Sequence, residues 1–146
     1  MSALTFPSVE WCRAMAAALH ADPTVQAALA EFGPFVAGAV VERGAGLARD
    51  FCVLARVAPG EPPVLEFPDD EDELEELGPD YLTHLPHALA RQLLQDALRG
   101  HIPDPVQFLL SGRVTVAGDV QRIVRVAPRH PTAGRAALLT VPTRFL

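Results

Sequence analysis

Between residues 89 and 126 the chain leaves almost no room for loops, and this stretch, LARQLLQDALRGHIPDPVQFLLSGRVTVAGDVQRIVRV, sets what the rest can fold into. Leu89, Leu93, Leu94, Ala97 and Leu98 recur at helical spacing, and Gly100 stands where a left-handed cap ends such a helix. Asp104 can accept from free backbone N–H groups and Pro105 is pre-set for a first helical position. A short helix is expected there, burying Val106, Leu109 and Leu110 and ending at Gly112. Residues 113–117 then alternate, with Val114 and Val116 on one face and Arg113 and Thr115 on the other, which is the pattern of a half-buried strand. Gly118 closes it, Asp119 caps a following helix, and Val120, Ile123, Val124 and Ala127 carry that helix to Pro128.

The whole chain, 146 residues, is the size of one ordinary domain. A domain of that size buries roughly 68–70% of its unfolded surface and needs no disulfide or metal to hold together. Cys12 and Cys52 fall in a predicted helix and a predicted strand with no CxxC, so reduced, buried thiols in a cytoplasm are expected. No apolar stretch approaches the ~18 residues of a spanning helix, and the N-terminus has no basic region followed by a hydrophobic one. The seven carboxylates of residues 69–76 exceed the net charge of −6, so the remainder is close to neutral. Together with twelve scattered arginines and no lysine, that argues against a nucleic-acid partner and suits a GC-rich bacterial genome.

Taken from its start, the chain opens as a helical hairpin. Ser8 caps a helix with Trp11, Met15 and Leu19 in a row, and Asp22-Pro23 starts a second with Val25, Ala28, Leu29 and Phe32 on one face, ended by Gly33-Pro34. Residues 35–42 and 51–57 are rich in β-branched and aromatic side chains around Gly44-Ala45-Gly46 and read as an antiparallel hairpin. A third short strand is expected over 64–67. Residues 68–79 read as an acidic insertion, solvated and mobile, with one helical turn at most. It is no EF-hand loop, because Leu74 stands where the sharp turn needs Gly and Asp80 where a bidentate Glu belongs. Residues 80–85 lead into Pro86. The tail, 128–146, has a turn at Pro131, Thr132 and Gly134 and an edge strand expected over 136–141, stopped by Pro142.

Residues that could carry chemistry are sparse. His84 and His87 are spaced for a shared metal on a helix, but Pro86 breaks that geometry and no third ligand is fixed nearby, so no metal and no cofactor is expected. There is no G-x-S-x-G; Ser111 ends a helix and Ser8 begins one. Cys12 lies on an apolar face where a thiol is inert, and the dense carboxylates should stay ionised in water. No catalytic residue is assigned, and an enzyme is not expected. What remains is an excess of apolar side chains with few polar anchors, which fits either a packed core or a lined cavity.

The order Leu-rich helix, Gly100, Asp104-Pro105, Leu109-Leu110-Ser111-Gly112, alternation, Gly118-Asp119, helix resembles the C-terminal half of the type-two sterol carrier protein domain. The resemblance covers residues 8–127 and is tightest over 93–124. It departs where the family usually has a Trp in the helix before Gly100, a position held here by Leu94, and at Pro103, a one-residue insertion. The expected fold is α+β: a helical hairpin, a mostly antiparallel twisted sheet of about five strands, and helices covering one face. The resemblance implies an apolar tunnel between helices and sheet, bordered by Phe51, Val53, Leu94, Leu98, Phe108, Leu109, Val114 and Val116. It implies non-covalent binding of a lipid or fatty acyl chain. Two other classes fit the same residues: an interaction module whose tail is exchanged in a homodimer, and a small hydrolase or transferase sharing only the fold.

Overall fold

Ser8 and Asp22 start the first two helices for the reason their side chains suggest. In the computed structural model, which describes residues 2–44, 46–101, 107 and 110–146, Ser8 Oγ accepts the Trp11 amide at 3.1 Å and opens α1 (Val9–Ala21). Asp22 Oδ1 takes the Thr24 amide at 2.9 Å, with Pro23 in the first turn of α2 (Pro23–Phe32). Each bond satisfies a donor that the first helical turn leaves without an acceptor.

The central hairpin has the boundaries read from the sequence. β2 (Phe35–Glu42) and β3 (Phe51–Val57) pair antiparallel, with Val41 opposite Phe51 and Phe35 opposite Val57. Gly44 and Leu47 exchange backbone hydrogen bonds of 3.0 Å in the turn; Ala45 lies outside the described residues. β4 (Val64–Glu66) pairs with β3 at one edge. β5 (Tyr81–Pro86) runs parallel to β2 on its other side, and β6 (Thr115–Gly118) runs antiparallel to β5, giving the order β4-β3-β2-β5-β6. The fold is α+β with a five-stranded sheet, as expected. The sheet is mixed, because residues 81–86, read only as a lead-in, form the strand beside the centre.

α4 (His87–Leu98) follows β5 directly and ends before Gly100, whose φ of +88° is the left-handed cap its position predicted; Gly112, at φ +74°, matches too. The helix expected to start at Asp104-Pro105 and to bury Val106, Leu109 and Leu110 falls largely outside the described residues, but Leu110 is described and is exposed, at 81%, where burial was expected. Asp119 Oδ1 accepts the Arg122 amide at 3.2 Å and opens α5 (Val120–Val126). Pro128 does not stop the chain there; it sits in the first turn of a 3₁₀ helix, Ala127–Arg129, where its missing N–H costs nothing.

Two expectations are overturned. The acidic run is no solvated insertion: it forms α3 (Glu71–Glu76), capped by Asp70, and Leu74 is fully buried, at 0% exposure, against Val40, Cys52 and Leu54. Its carboxylates sit in the first turn, where the helix dipole favours them, or face water, while one leucine docks. Leu74 fits over Gly38, where an added Cβ would stand 3.1 Å from Leu74 Cδ1. In the tail, the edge strand expected over 136–141 is instead the helix α6 (Arg135–Thr140), made of strong helix formers. The strand comes after Pro142: β7 (Thr143–Phe145) pairs parallel with β1 (Leu4–Phe6), and the Leu4 amide donates to the Pro142 carbonyl at 2.8 Å. Trp11 Nε1 donates to Thr143 Oγ1 at 3.0 Å, so the tail is seated on α1 and β1 of its own chain.

Candidate functional site

The pleat of β2 sorts the core into two faces. Val40 packs with Cys52, Leu54 and Leu74 under α3, while its neighbour Val41 packs with Phe6 and Ala90, against which Trp11, Phe51, Leu85 and Leu94 also lie. Successive residues point to opposite sides of a sheet, so α3 covers one face and α1 and α4 cover the other.

The two faces are sealed unequally. On the α3 side Gly38, Val40, Cys52 and Leu54 are all buried. On the α4 side Ala37, Ala39, Val53, Ala55, Thr83 and Val116 are only half-buried, although β2 is the middle strand of five. Register places them together: Ala39 lies opposite Val53 and Thr83, Ala37 opposite Ala55 and Tyr81, and Thr83 opposite Val116. α1 buries Met15 and α4 buries His87 and Ala90, whereas neither α2 nor α5 has a fully buried residue. The result is a row of small apolar side chains, closed at one end by the Phe6–Val41–Ala90 cluster. At the other end stand Phe32, Phe35 and Tyr81, with ring centroids 5.1 to 6.2 Å apart.

Of the residues assigned from sequence, Phe51, Val53 and Val116 lie on this α4-side face by register. Leu94 packs against its closed end, Leu98 is half-buried one turn further along α4, and Val114 is buried just before β6. Phe108 and Leu109 lie outside the described residues. Sequence reasoning missed Ala37, Ala39 and Thr83; their signal was the alternation of β2, which becomes informative only once β5 is known to lie beside it. A separate pocket of about 270 Å³, lined by Phe35, Val57, Pro62 and Val64 among others, opens at the sheet end and includes none of the assigned residues.

The histidines face different partners. His84 Nε2 meets Glu71 Oε1 at 2.5 Å, whereas His87 is buried, at 1% exposure, and its Nδ1 lies 2.7 Å from the Gly44 carbonyl oxygen. Among the described residues no group of three His, Cys, Asp or Glu side chains is placed to hold a metal. Burial pushes the Cys12 thiol up to about 12, and burial together with Asp50, Glu71 and Asp70 raises Cys52. Neither is poised as a nucleophile at neutral pH. No helix among the described residues is long and apolar enough to cross a membrane.

No protein-family model matches the sequence, and no curated protein is detectably similar to it. Solved structures are. A conserved hypothetical protein from Thermus thermophilus, described as possibly a sterol carrier protein, superposes with a TM-score of 0.68 at 13% identity, covering 99% of this chain and 94% of its own. A crystal structure of sterol carrier protein 2 gives a TM-score of 0.61 at 16% identity, covering 92% of this chain and 97% of its own. The fold is that of sterol carrier protein 2. The sterol carrier protein domain 2 of Helicoverpa armigera, with a TM-score of 0.53 at 12% identity and 86% coverage of both chains, shares it. At these identities the likeness concerns the sterol-carrier fold, and the site must be argued from this chain's own residues.

Proposed function

We propose that this chain is a single-domain, cytoplasmic lipid binder that holds a lipid or fatty acyl ligand non-covalently between the α4-side face of the sheet and the helices. The observation that carries the reading is the contrast between faces at the middle of the central hairpin: Gly38, Val40, Cys52 and Leu54 are buried on the α3 side, while Ala37, Ala39, Val53 and Ala55 are half-buried on the α4 side. Residues at the centre of a sheet are normally closed by packing, and small side chains there leave room for a chain of methylenes. Phe51, Leu94, Leu98, Val114 and Val116 are the proposed border, with Phe108 and Leu109 retained from the sequence. The sterol-carrier fold supports the same reading.

The driving force is removal of alkyl surface from water, worth ~0.8 kcal/mol per buried CH₂, with no covalent step. Gentle organic extraction of the purified protein followed by mass spectrometry tests the lipid-binding reading. Stoichiometric lipid is expected; an empty extract, together with a folded protein that no fatty acid or sterol displaces a bound fluorescent probe from, overturns it.

A further inference from the structure

At the aromatic end of the half-open face stands a cation with no counter-charge among the described residues. Arg122, in the first turn of α5 and half-buried, lays its guanidinium over the Phe32 ring, with Cζ 4.3 Å from the centroid, and donates to the Phe32 carbonyl. Phe32 abuts Phe35 at 5.1 Å and Tyr81 at 6.0 Å, and Tyr81 pairs with Ala37 on β2. The cation, the aromatic group and the row of small apolar residues are therefore continuous. Nearby carboxylates are engaged elsewhere: Glu31 with Arg129 and His130, Asp119 with the Arg122 amide, and Asp80 with the Val36 amide. Among the described residues none forms an ion pair with the Arg122 guanidinium.

A guanidinium has five N–H donors in a planar fork, and the Phe32 carbonyl occupies one side of it. The Phe32 carbonyl and the Phe32 ring hold α5 against the end of α2, and these two contacts engage one edge and one face of the fork. A half-buried charge with unused donors at the end of an apolar row is the chemistry that receives a carboxylate, and a partner there recovers the cost of partial desolvation. We propose that Arg122 anchors the ionised carboxylate of a long-chain fatty acid whose alkyl chain lies along Ala37, Ala39 and Val53, an assignment that rests on the lipid-binding reading above. A sterol or a fatty alcohol fills the same apolar row without that anchor.

The test compares palmitate with hexadecanol, equal in chain length and different in charge, by displacement of a fluorescent probe from delipidated protein. The wild type should prefer palmitate about tenfold, as expected for a charge-assisted hydrogen bond, and salt should weaken palmitate but not hexadecanol. Arg122→Gln, which keeps a donor for the Phe32 carbonyl, should bring the ratio of the two affinities to near one, and Arg122→Lys should keep part of the preference. A merely structural arginine would alter both ligands alike and leave the ratio where it was; that result, or a wild type with equal affinities, overturns the assignment. Should a variant fail to fold, the ratio and its salt dependence in the wild type decide. A wild type that binds neither ligand refutes lipid binding itself, which separates that failure from the failure of the anchor.

Discussion

Leu74 is the residue on which sequence and structure part most sharply. Flanked by seven carboxylates it looks like an accident of a solvated run, yet it is fully buried against Val40, Cys52 and Leu54. A single apolar side chain has no periodicity to declare it, so only the hollow over Gly38, a tertiary fact, could have shown its place. Leu74→Ala should therefore cost about 2–5 kcal/mol in a urea titration, the usual range for a fully buried leucine. Asp72→Asn or Glu75→Gln beside it, on the exposed side of α3, should stay within about 0.5 kcal/mol. The cysteines offer a second check at this scale. With the Cys12 thiol pushed up to about 12 by burial and Cys52 nearly inaccessible, Ellman's reagent at mildly alkaline pH should label the folded protein slowly and the urea-unfolded protein at once. Rapid labelling of folded protein would mean that the α1 face or the α3 face opens far more readily than its packing indicates.

The elements legible in the sequence are those whose ends carry local chemistry. Ser8, Asp22 and Asp119 accept from the backbone as caps, Gly100 takes positive φ, and β2 and β3 follow β-branched runs around a Gly turn. What was illegible depends on partners distant in sequence: β5 beside β2, β7 beside β1, and the tying of α2 to the C-terminal region. That last contact predicts a pH response. Glu31, on α2, is held below the usual carboxylate range first by its hydrogen bond from His130 at 2.6 Å, then by the charge of Arg129, with desolvation opposing both. A depressed folded-state pKa gives stability that is present above the unfolded value, about 4.3 for glutamate, and is lost as pH falls through the folded value. Glu31→Gln should thus destabilise near neutral pH, and its difference from wild type in urea midpoint should vanish under acid. A difference constant across that window would place the contribution in packing alone. Gly118 sets the junction of β6 and α5: at φ +131° its missing Cβ would lie 2.3 Å from the Asp80 carbonyl oxygen, whereas nothing lies within 4 Å of one at Gly100. Gly100→Ala should cost about 1–2 kcal/mol for backbone strain, and Gly118→Ala clearly more, as measured by thermal denaturation.

For the molecule as a whole, the sequence indicated the α+β class and the sterol-carrier likeness, but it could not say how tightly the two faces of the sheet close. That property depends on register: only when Ala39 meets Val53 and Thr83, and Ala37 meets Ala55, do small side chains line up across neighbouring strands. If this face is the seat of an alkyl chain, affinity must follow chain length. In a graded fatty-acid series it should rise by ~0.8 kcal/mol per methylene and then level off once the row between the Phe32–Phe35–Tyr81 group and the Phe6–Val41–Ala90 cluster is filled. Leu94 reads the same space from the helix side. It is half-buried on α4 and packs at the closed end, so a larger side chain there has the half-open row to turn into. Leu94→Trp should then cost under about 1 kcal/mol, against the 1–3 kcal/mol typical of overpacking a dense core. It should also shorten the longest acid that gains affinity, because the indole takes volume that terminal methylenes would use. Stability and chain-length cutoff are independent readouts. A destabilised Leu94→Trp protein with an unshifted cutoff would show that Leu94 belongs to a close-packed core, and would move the ligand away from the α4 end of the face.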